Sequence, residues 1–134
     1  MMAPAVNQAQ SLLAFDFGIK RLGVATGNAF LKTAEPLKSI HLEGDARFAA
    51  IEKLVKEWQP DALVIGVPFH PDGAEHEITL RARRFGRQLK GRFRLPVYEV
   101  DERYTSVEAQ SLGARDVDST AAALILEQYF REHS

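Results

Sequence analysis

Four acidic residues lie at the predicted ends of structural elements, where they could bind a cation together. Asp16 ends the apolar segment SLLAFD, and Asp101 and Glu102 end a second one, VYEVDE. Asp118 follows the turn GARDV and begins a predicted helix. The carboxyl ends of parallel strands meet at one edge of a sheet, so these acids could share a rim. Gathered carboxylates repel one another unless a cation lies between them, and oxygen ligands favour Mg²⁺ or Mn²⁺.

Three of these acids also have a structural alternative. Asp16 could cap the backbone of the turn that follows it. Asp118 could be an acid that the helix dipole favours at a helix start. Asp101 could form an ion pair with Arg103 or Lys20. These alternatives explain single residues, whereas the cation site explains why the acids occur at three separate element ends.

A basic segment, RARRFGRQLKGRFR, covers residues 81–94 and contains no acid. The net charge of the whole chain is −1, so this segment concentrates positive charge locally. It indicates an anion-binding surface or, alternatively, a solvated helix face. His70 and His76 lie before this segment and are predicted to be surface residues rather than metal ligands.

Hydrophobic patterning predicts a hairpin followed by alternating strands and helices. The uninterrupted apolar run at residues 62–67 is typical of a strand that is covered on both faces. Asp45 is the predicted cap of the first helix, Pro60 its end, and Gly91 the end of the second helix. The predicted strands are residues 11–16, 22–26, 35–42, 62–67 and 97–101; the predicted later helices are residues 74–90, a short helix from Thr105, and residues 118–131. The simplest arrangement is a mixed five-stranded sheet with helices on both faces.

The size and composition fit one globular domain. The chain has 134 residues, of which 46% are hydrophobic. We expect a flexible arm at residues 1–10 and a single domain at residues 11–134. The absence of cysteine excludes disulfides and thiolate metal sites. No signal peptide and no run of about 20 apolar residues is present, so the sequence predicts a cytoplasmic protein without a membrane span.

Four segments resemble, in order, the motifs of the YqgF family of RNase H-like proteins. They are DFGIKRLGVA at 16–25, IGVPFHPDG at 65–73, DERYTS at 101–106 and DSTAAALIL at 118–126. Members are described as pre-16S rRNA nucleases and as Holliday-junction-resolvase-like proteins, and the resemblance covers about residues 11–131. It implies an α/β, three-layer RNase H-like fold. The implied sheet order is 3-2-1-4-5, with strand two antiparallel to its neighbours.

The resemblance also implies a nuclease that hydrolyses phosphodiesters with Mg²⁺ or Mn²⁺. The implied catalytic residues and metal ligands are Asp16, Glu102 and Asp118, and Asp101 remains open as the acid from strand five. In the two-metal mechanism, one ion would activate water and the other would stabilise the leaving 3′-oxygen, with Asp16 bridging both. The cations expected to contact substrate phosphates are Lys20, Arg21, Arg103, Arg84 and Arg87.

The expected substrate is nucleic acid, and RNA is favoured over DNA. The favoured function is processing of the 5′ end of pre-16S rRNA in ribosome biogenesis, with pre-ribosomal particles as partners. One alternative is a Holliday-junction resolvase acting on DNA in recombination and repair, which would need a two-fold dimer to cut two strands symmetrically. Another is a catalytically silent RNA-binding assembly factor. Whether the chain is a monomer or a homodimer stays open.

Two departures from the family pattern bear on activity. The connection SLGARDV before Asp118 is shorter than in many members, which favours the silent factor. Strand four ends in GVP, without the acid that many RNase H-like nucleases have there.

A phosphotransferase of the actin and sugar-kinase type has a similar hairpin, but such enzymes close two domains around a nucleotide. A protein kinase is excluded, because DFG is accompanied by no glycine-rich loop and no H-R-D motif.

Overall fold

The computed structural model describes residues 10–68, 77–101 and 117–133, with only the backbone described for Val117 and Asp118. The elements are β1 (Ser11–Asp16), β2 (Gly23–Asn28), β3 (Thr33–Pro36), α1 (Gly44–Trp58), β4 (Ala62–Val67), α2 (Glu77–Phe93), β5 (Val97–Asp101) and α3 (Val117–Glu132). Residues 1–9 of the predicted arm, both histidines predicted to be at the surface, and the short helix predicted from Thr105 lie outside the described residues. No helix in the described ranges has the length and hydropathy needed to span a membrane.

The five strands form one mixed sheet in the order β3-β2-β1-β4-β5. The pairs β1–β2 and β2–β3 are antiparallel, whereas β1–β4 and β4–β5 are parallel. The fold class, the strand order and the antiparallel second strand that the sequence predicted are therefore confirmed. β1 lies at the centre of the sheet, and its carboxyl end is at the same edge as the ends of β4 and β5.

The core has two layers because the sheet is apolar on both faces. On β1, Leu12 and Ala14 pack against α3, while Leu13 and Phe15 point to the opposite face and pack with α1 and α2. β4 follows the same alternation and is buried along its whole length. Full burial of one such large side chain stabilises the fold by about 1.5–3 kcal/mol. The site at the end of β1 is therefore built on a central strand whose residues Leu12 to Phe15 are fully buried.

The helix α3 lies close to β2 because Gly27 has no side chain. Gly27 pairs with Leu12 and shares its face of the sheet. A Cβ at this position would overlap the carbonyl oxygen of Thr33 and the side chain of Leu126 on α3. Glycine thus permits a close contact between helix and strand that any larger residue would prevent.

The third strand is shorter than the predicted strand at 35–42. Its last ladder pair with β2 is Pro36 with Ala25, and the N–H of Leu37 still donates to the carbonyl oxygen of Val24 at 2.8 Å. The chain returns to β2 at the isolated bridge between Leu22 and Ile40. Between Pro36 and that bridge, three residues face two residues of β2, so the segment contains one extra residue, as in a β-bulge. The prediction missed this interruption.

Two predicted helix ends were wrong. α1 begins at Gly44 with Glu43 at the cap position, so Asp45 lies in the first turn and is not the cap. α2 continues through Gly91 to Phe93, which packs against the core. The left-handed residue that follows α2 is Arg94, with φ of 55°. The packing of the partly buried Phe93 against the core therefore accompanies the continuation of the helix past Gly91, although glycine often ends a helix.

Candidate active site

Asp16 is the last residue of the central strand, and its side chain is partly buried. Its strand partners are both glycines, Gly23 of β2 and Gly66 of β4. Because side chains alternate along a strand, Asp16 lies on the same face as Leu12 and Ala14, the face that α3 covers. The centre of the sheet therefore fixes this carboxylate on the α3 side, between two strand neighbours that have no side chains.

The first turn of α3, which contains Asp118, lies on this same face. Its next residue, Ser119, is fully buried. The backbone N–H of Val24 donates a hydrogen bond to Ser119 Oγ at 3.2 Å, and Ser39 Oγ lies 3.0 Å from the same oxygen. Val24 is one residue from the strand partner of Asp16. The backbone of the first α3 turn and Asp16 are thus at the same end and on the same face of the sheet.

The two serines were missed by the sequence reasoning. Ser39 lies in the β-bulge after β3. The ladder is interrupted there, and the N–H of Val24 donates to Ser119 Oγ instead of to a neighbouring strand. A buried N–H requires such a partner, since leaving it unsatisfied costs about 1–3 kcal/mol. The only signal in the sequence was the small polar residue that follows Asp118 in DSTAAALIL. It could have indicated a hydroxyl buried where α3 meets the sheet.

The acid at the end of β5, Asp101, lies on the opposite face from Asp16. Gly66 pairs with Asp16 on one side and with Val100 on the other, so Val100 shares the face of Asp16. Asp101 is paired with Val67 and lies on the face that packs with α1 and α2. The strand register therefore separates Asp101 from Asp16.

An ion pair agrees with this register. Arg83 Nε of α2 lies 3.3 Å from Glu99 Oε1, and Glu99 is two residues before Asp101 on β5. Both acids therefore belong to the α2 side of the sheet. The other predicted residues of this segment, Glu102 and Arg103, lie outside the described residues.

Two cations lie in the turn between β1 and β2, after Phe17, Gly18 and Ile19. Lys20 and Arg21 are both exposed and lie at the carboxyl edge of the sheet with Asp16. The turn is tight at Gly18, because a Cβ there would overlap the carbonyl oxygen of Arg21. The backbone of this turn thus determines the positions of the Lys20 and Arg21 main chain relative to the Asp16 carboxylate.

A buried arginine that sequence reasoning missed lies behind this turn. Arg47 of α1 is 4% exposed. Its Nη2 donates to the carbonyl oxygen of Ile19 at 3.0 Å and its Nε donates to that of Leu42 at 2.7 Å. Burial lowers the pKa of this guanidinium, although the nearby Glu43 carboxylate opposes the shift. An arginine remains protonated in proteins, so a full positive charge is buried beside the turn.

The basic segment is not part of the Asp16 site. Arg84 and Arg87 are exposed on α2, which packs on the opposite face of the sheet from Asp16. Three other arginines of the segment form ion pairs with acids: Arg81 with Glu77, Arg83 with Glu99 and Arg92 with Asp45. Neither Arg84 nor Arg87 forms an ion pair with the part of the chain that the structure describes. They are therefore the arginines of α2 most available to an anion.

The donor set predicted for a metal ion fits a hard cation in its chemistry. Carboxylate oxygens are the ligands that Mg²⁺ and Mn²⁺ prefer. Of the predicted set, Asp16 alone has a described side chain, while Glu102 and the side chain of Asp118 are not described. Within the described ranges, no group of three or more His, Asp or Glu side chains could hold a metal ion.

The chain is similar over most of its length to named bacterial proteins. A protein of Albidiferax ferrireducens named "Putative pre-16S rRNA nuclease" is 66% identical over 122 residues, which are 91% of this chain and 78% of that protein. A protein of the same name from a Polaromonas species is 59% identical over 91% of this chain and 88% of its own length. One from Burkholderia mallei is 54% identical over 96% of this chain and 92% of its own length.

Solved structures share the fold at low sequence identity. RuvC of Thermus thermophilus, in complex with a Holliday junction substrate, has a TM-score of 0.55 at 16% identity, covering 92% of this chain and 95% of that one. The Fowlpox virus resolvase in complex with Holliday junction DNA has a TM-score of 0.59 at 12% identity, covering 92% and 98%. The model of the family described as "RuvX: Holliday junction resolvase" matches residues 10–132. RuvX and YqgF are two names of one family, so the resemblance to the YqgF family is confirmed, and the chain belongs to this RuvX family.

Proposed function

We propose that this chain is a metal-dependent nuclease that hydrolyses phosphodiesters of nucleic acids. The observation that carries the proposal is the position of Asp16. A carboxylate ends the central strand of the sheet, on the face and at the end where the first turn of α3 brings in the backbone of Asp118. Membership of the RuvX family, which is described as a family of Holliday junction resolvases, supports a role of this pair of acids in phosphodiester hydrolysis.

In this proposal, Asp16, Glu102 and Asp118 hold Mg²⁺ or Mn²⁺. In the two-metal mechanism of this proposal, bound divalent cations would lower the pKa of a water nucleophile and stabilise the leaving oxygen. Asp101 is not included, since the register of β5 puts it on the opposite face from Asp16. This choice leaves Glu102 as the acid that follows β5 in the proposed site.

Exposed cations have two separate roles in the proposal. Lys20 and Arg21 lie at the same edge as Asp16 and would neutralise the phosphate that is cleaved. Arg84 and Arg87 lie on the other side of the sheet, so they would contact the phosphate backbone that flanks the cleaved bond. Such contacts position nucleic acid without reading its sequence.

The named relatives favour pre-16S rRNA as the substrate, and in this proposal the chain processes its 5′ end. Three relatives that are 54–66% identical to this chain carry a name that specifies this RNA. The description of the family model favours a second candidate, a DNA endonuclease that resolves Holliday junctions. A silent RNA-binding assembly factor is the third candidate, supported by the short connection SLGARDV before Asp118.

A cleavage assay separates these candidates. The protein is incubated with labelled RNA that contains the 5′ precursor end of 16S rRNA, with unstructured RNA, or with a four-way DNA junction, each in Mn²⁺ and in EDTA. We expect Mn²⁺-dependent cleavage of the precursor RNA. Symmetrical cleavage of the junction alone would favour the resolvase. Binding without cleavage of any of the three would contradict the nuclease proposal and favour the silent factor.

Binding is predicted to be salt-dependent through Arg84 and Arg87. Each phosphate contact to single-stranded nucleic acid contributes about −0.7 to the slope of log affinity against log salt. Changing both arginines to Ala should therefore flatten the slope by about 1.4 in a fluorescence-anisotropy titration. The matched control is Lys53→Ala with Lys56→Ala on α1, which removes the same charge and should leave the slope nearly unchanged. Equal slopes for the arginine variant and wild type would show that Arg84 and Arg87 contact no phosphate and that this face of α2 is only a solvated surface.

A further inference from the structure

Arg47 is an unusual residue for its surroundings, because a positive charge is buried in an aromatic cluster. Its guanidinium carbon lies 5.8 Å from the ring centre of Phe17 and 5.9 Å from that of Phe85. Phe85 in turn contacts Phe17 at 5.2 Å and Phe48 at 5.5 Å between ring centres. Packing alone would be satisfied here by an apolar side chain of similar length, so the charge needs another explanation.

The two hydrogen bonds of Arg47 supply that explanation. Both acceptors are backbone carbonyls, one of Ile19 in the turn after β1 and one of Leu42 before α1. No carboxylate in the described part of the chain lies within 4 Å of this guanidinium to form an ion pair. The Glu43 carboxylate favours the charge from nearby but forms no ion pair with it. Burying a charge that has no direct ion-pair partner is costly. The contacts that the buried charge makes between α1 and the turn are therefore these two hydrogen bonds.

The planar guanidinium is suited to fixing the geometry of these two contacts. Its donors form a rigid fork, unlike the three freely rotating donors of a lysine. The carbonyl of Ile19 belongs to the same peptide plane as the N–H of Lys20. Holding this carbonyl therefore fixes the orientation of the peptide from which Lys20 and then Arg21 extend.

We propose that Arg47 is a positioning residue, which holds the Ile19–Lys20 peptide so that Lys20 and Arg21 face the substrate phosphate beside Asp16. Arg47 itself lies in α1, beside Phe85 of α2 and behind the turn. In this role it acts through the peptide and would not contact the substrate. The positioning of the peptide stands on the contacts of Arg47 alone, whereas its effect on phosphate binding rests on the proposed nuclease function.

The test combines three variants with two measurements. Arg47→Met keeps the length and apolar contacts but removes both hydrogen bonds, and Arg47→Lys keeps the charge but removes the fork. Leu54→Ala is the matched control, since Leu54 packs against the same core cluster but does not contact the turn through any hydrogen bond. The first measurement is the NMR amide shift of Lys20 and Arg21, and the second is the affinity for a single-stranded RNA oligonucleotide.

We expect Arg47→Met to shift the amides of Lys20 and Arg21 selectively and to weaken oligonucleotide binding about tenfold. Combined with Lys20→Ala and Arg21→Ala, it should change affinity by less than about twofold, because residues that act through one another are not additive. Leu54→Ala should lower the melting temperature without either effect. Arg47→Lys should behave like Arg47→Met at the turn, and this variant also decides the matter if Arg47→Met does not fold.

Three results would overturn this role for Arg47. They are turn amides that do not move in either variant, an affinity loss that adds fully to that of the Lys20 and Arg21 changes, and wild-type affinity in Arg47→Lys. The failure of the nuclease proposal looks different. If the wild-type chain binds no oligonucleotide, the proposed function fails, while the amide shifts still report whether Arg47 positions the turn.

Discussion

Replacing Asp16 by Asn is expected to abolish nucleic-acid hydrolysis while leaving the fold intact. The two side chains have nearly the same shape, and the residue lies at the end of a fully paired strand. The change removes the carboxylate charge on which divalent-cation binding depends. Loss of groups that merely support a metal ligand costs about 10–100-fold in activity or affinity, so loss of a ligand should cost at least about 10³-fold.

The stability of the same variant gives a second measurement that needs no substrate. Without metal, Asp16 is expected to repel Glu102 and Asp118, so Asp16→Asn should have an equal or higher melting temperature. A cation present at 100 times its dissociation constant stabilises a protein by about 2.7 kcal/mol, which raises the melting temperature of a domain of this size by several degrees. Wild type should gain this increase in Mg²⁺ or Mn²⁺, and Asp16→Asn should not.

The matched control is Asp101→Asn, the same chemical change at the end of β5. Asp101 lies on the opposite face, so its variant should keep both cleavage and the metal-dependent increase in melting temperature. Loss of both in Asp101→Asn would instead make Asp101 the ligand and would contradict the choice of Glu102. If no variant, and not even wild type with a bound oligonucleotide, responds to metal in the melt, the metal site itself is refuted.

Much of the fold could be predicted because the strands carry strong signals. Residues 62–67 form an unbroken apolar run, and a strand buried on both faces is the simplest structure for such a run. The third strand could not be predicted in full. Leu37 and Ile40 are apolar, but the extra residue of the bulge interrupts pairing with β2 between them. Such an interruption depends on the neighbouring strand and is not visible in local patterning.

The candidate site was predictable to the extent that it consists of acids at element ends. The sequence alone did not show on which face of the sheet Asp101 lies. That face follows from the register of β1, β4 and β5, which puts Asp101 opposite Asp16. The residues that hold the site in place were not predictable. Arg47 and Ser39 lie outside the motifs in sequence. Arg47 contacts a backbone carbonyl and Ser39 contacts the Ser119 hydroxyl, and these groups come close only in the folded chain.

The change Gly18→Ala, in the turn after Asp16, is expected to have the second large effect, on both stability and cleavage rate. The added Cβ would overlap the carbonyl oxygen of Arg21, which is backbone and cannot move aside without shifting the turn. Overpacking of this kind destabilises a protein by about 1–3 kcal/mol, or several degrees in melting temperature. The shifted turn would also displace Lys20 and Arg21 from the phosphate.

Misplacement of catalytic groups by about 1 Å can cost about 10²-fold in rate, so Gly18→Ala should lower the cleavage rate by up to that factor. The control is Gly91→Ala, the same change inside α2, where a Cβ would meet no atom within 4 Å. Alanine is favoured over glycine in a helix by about 0.5–1 kcal/mol, so this variant should melt slightly higher and cleave normally. Thermal melts and single-turnover cleavage of both variants test the prediction. Wild-type cleavage by Gly18→Ala would mean that the turn can rearrange while keeping both cations in place, and the tight contact between Gly18 and Arg21 would then have no part in the reaction.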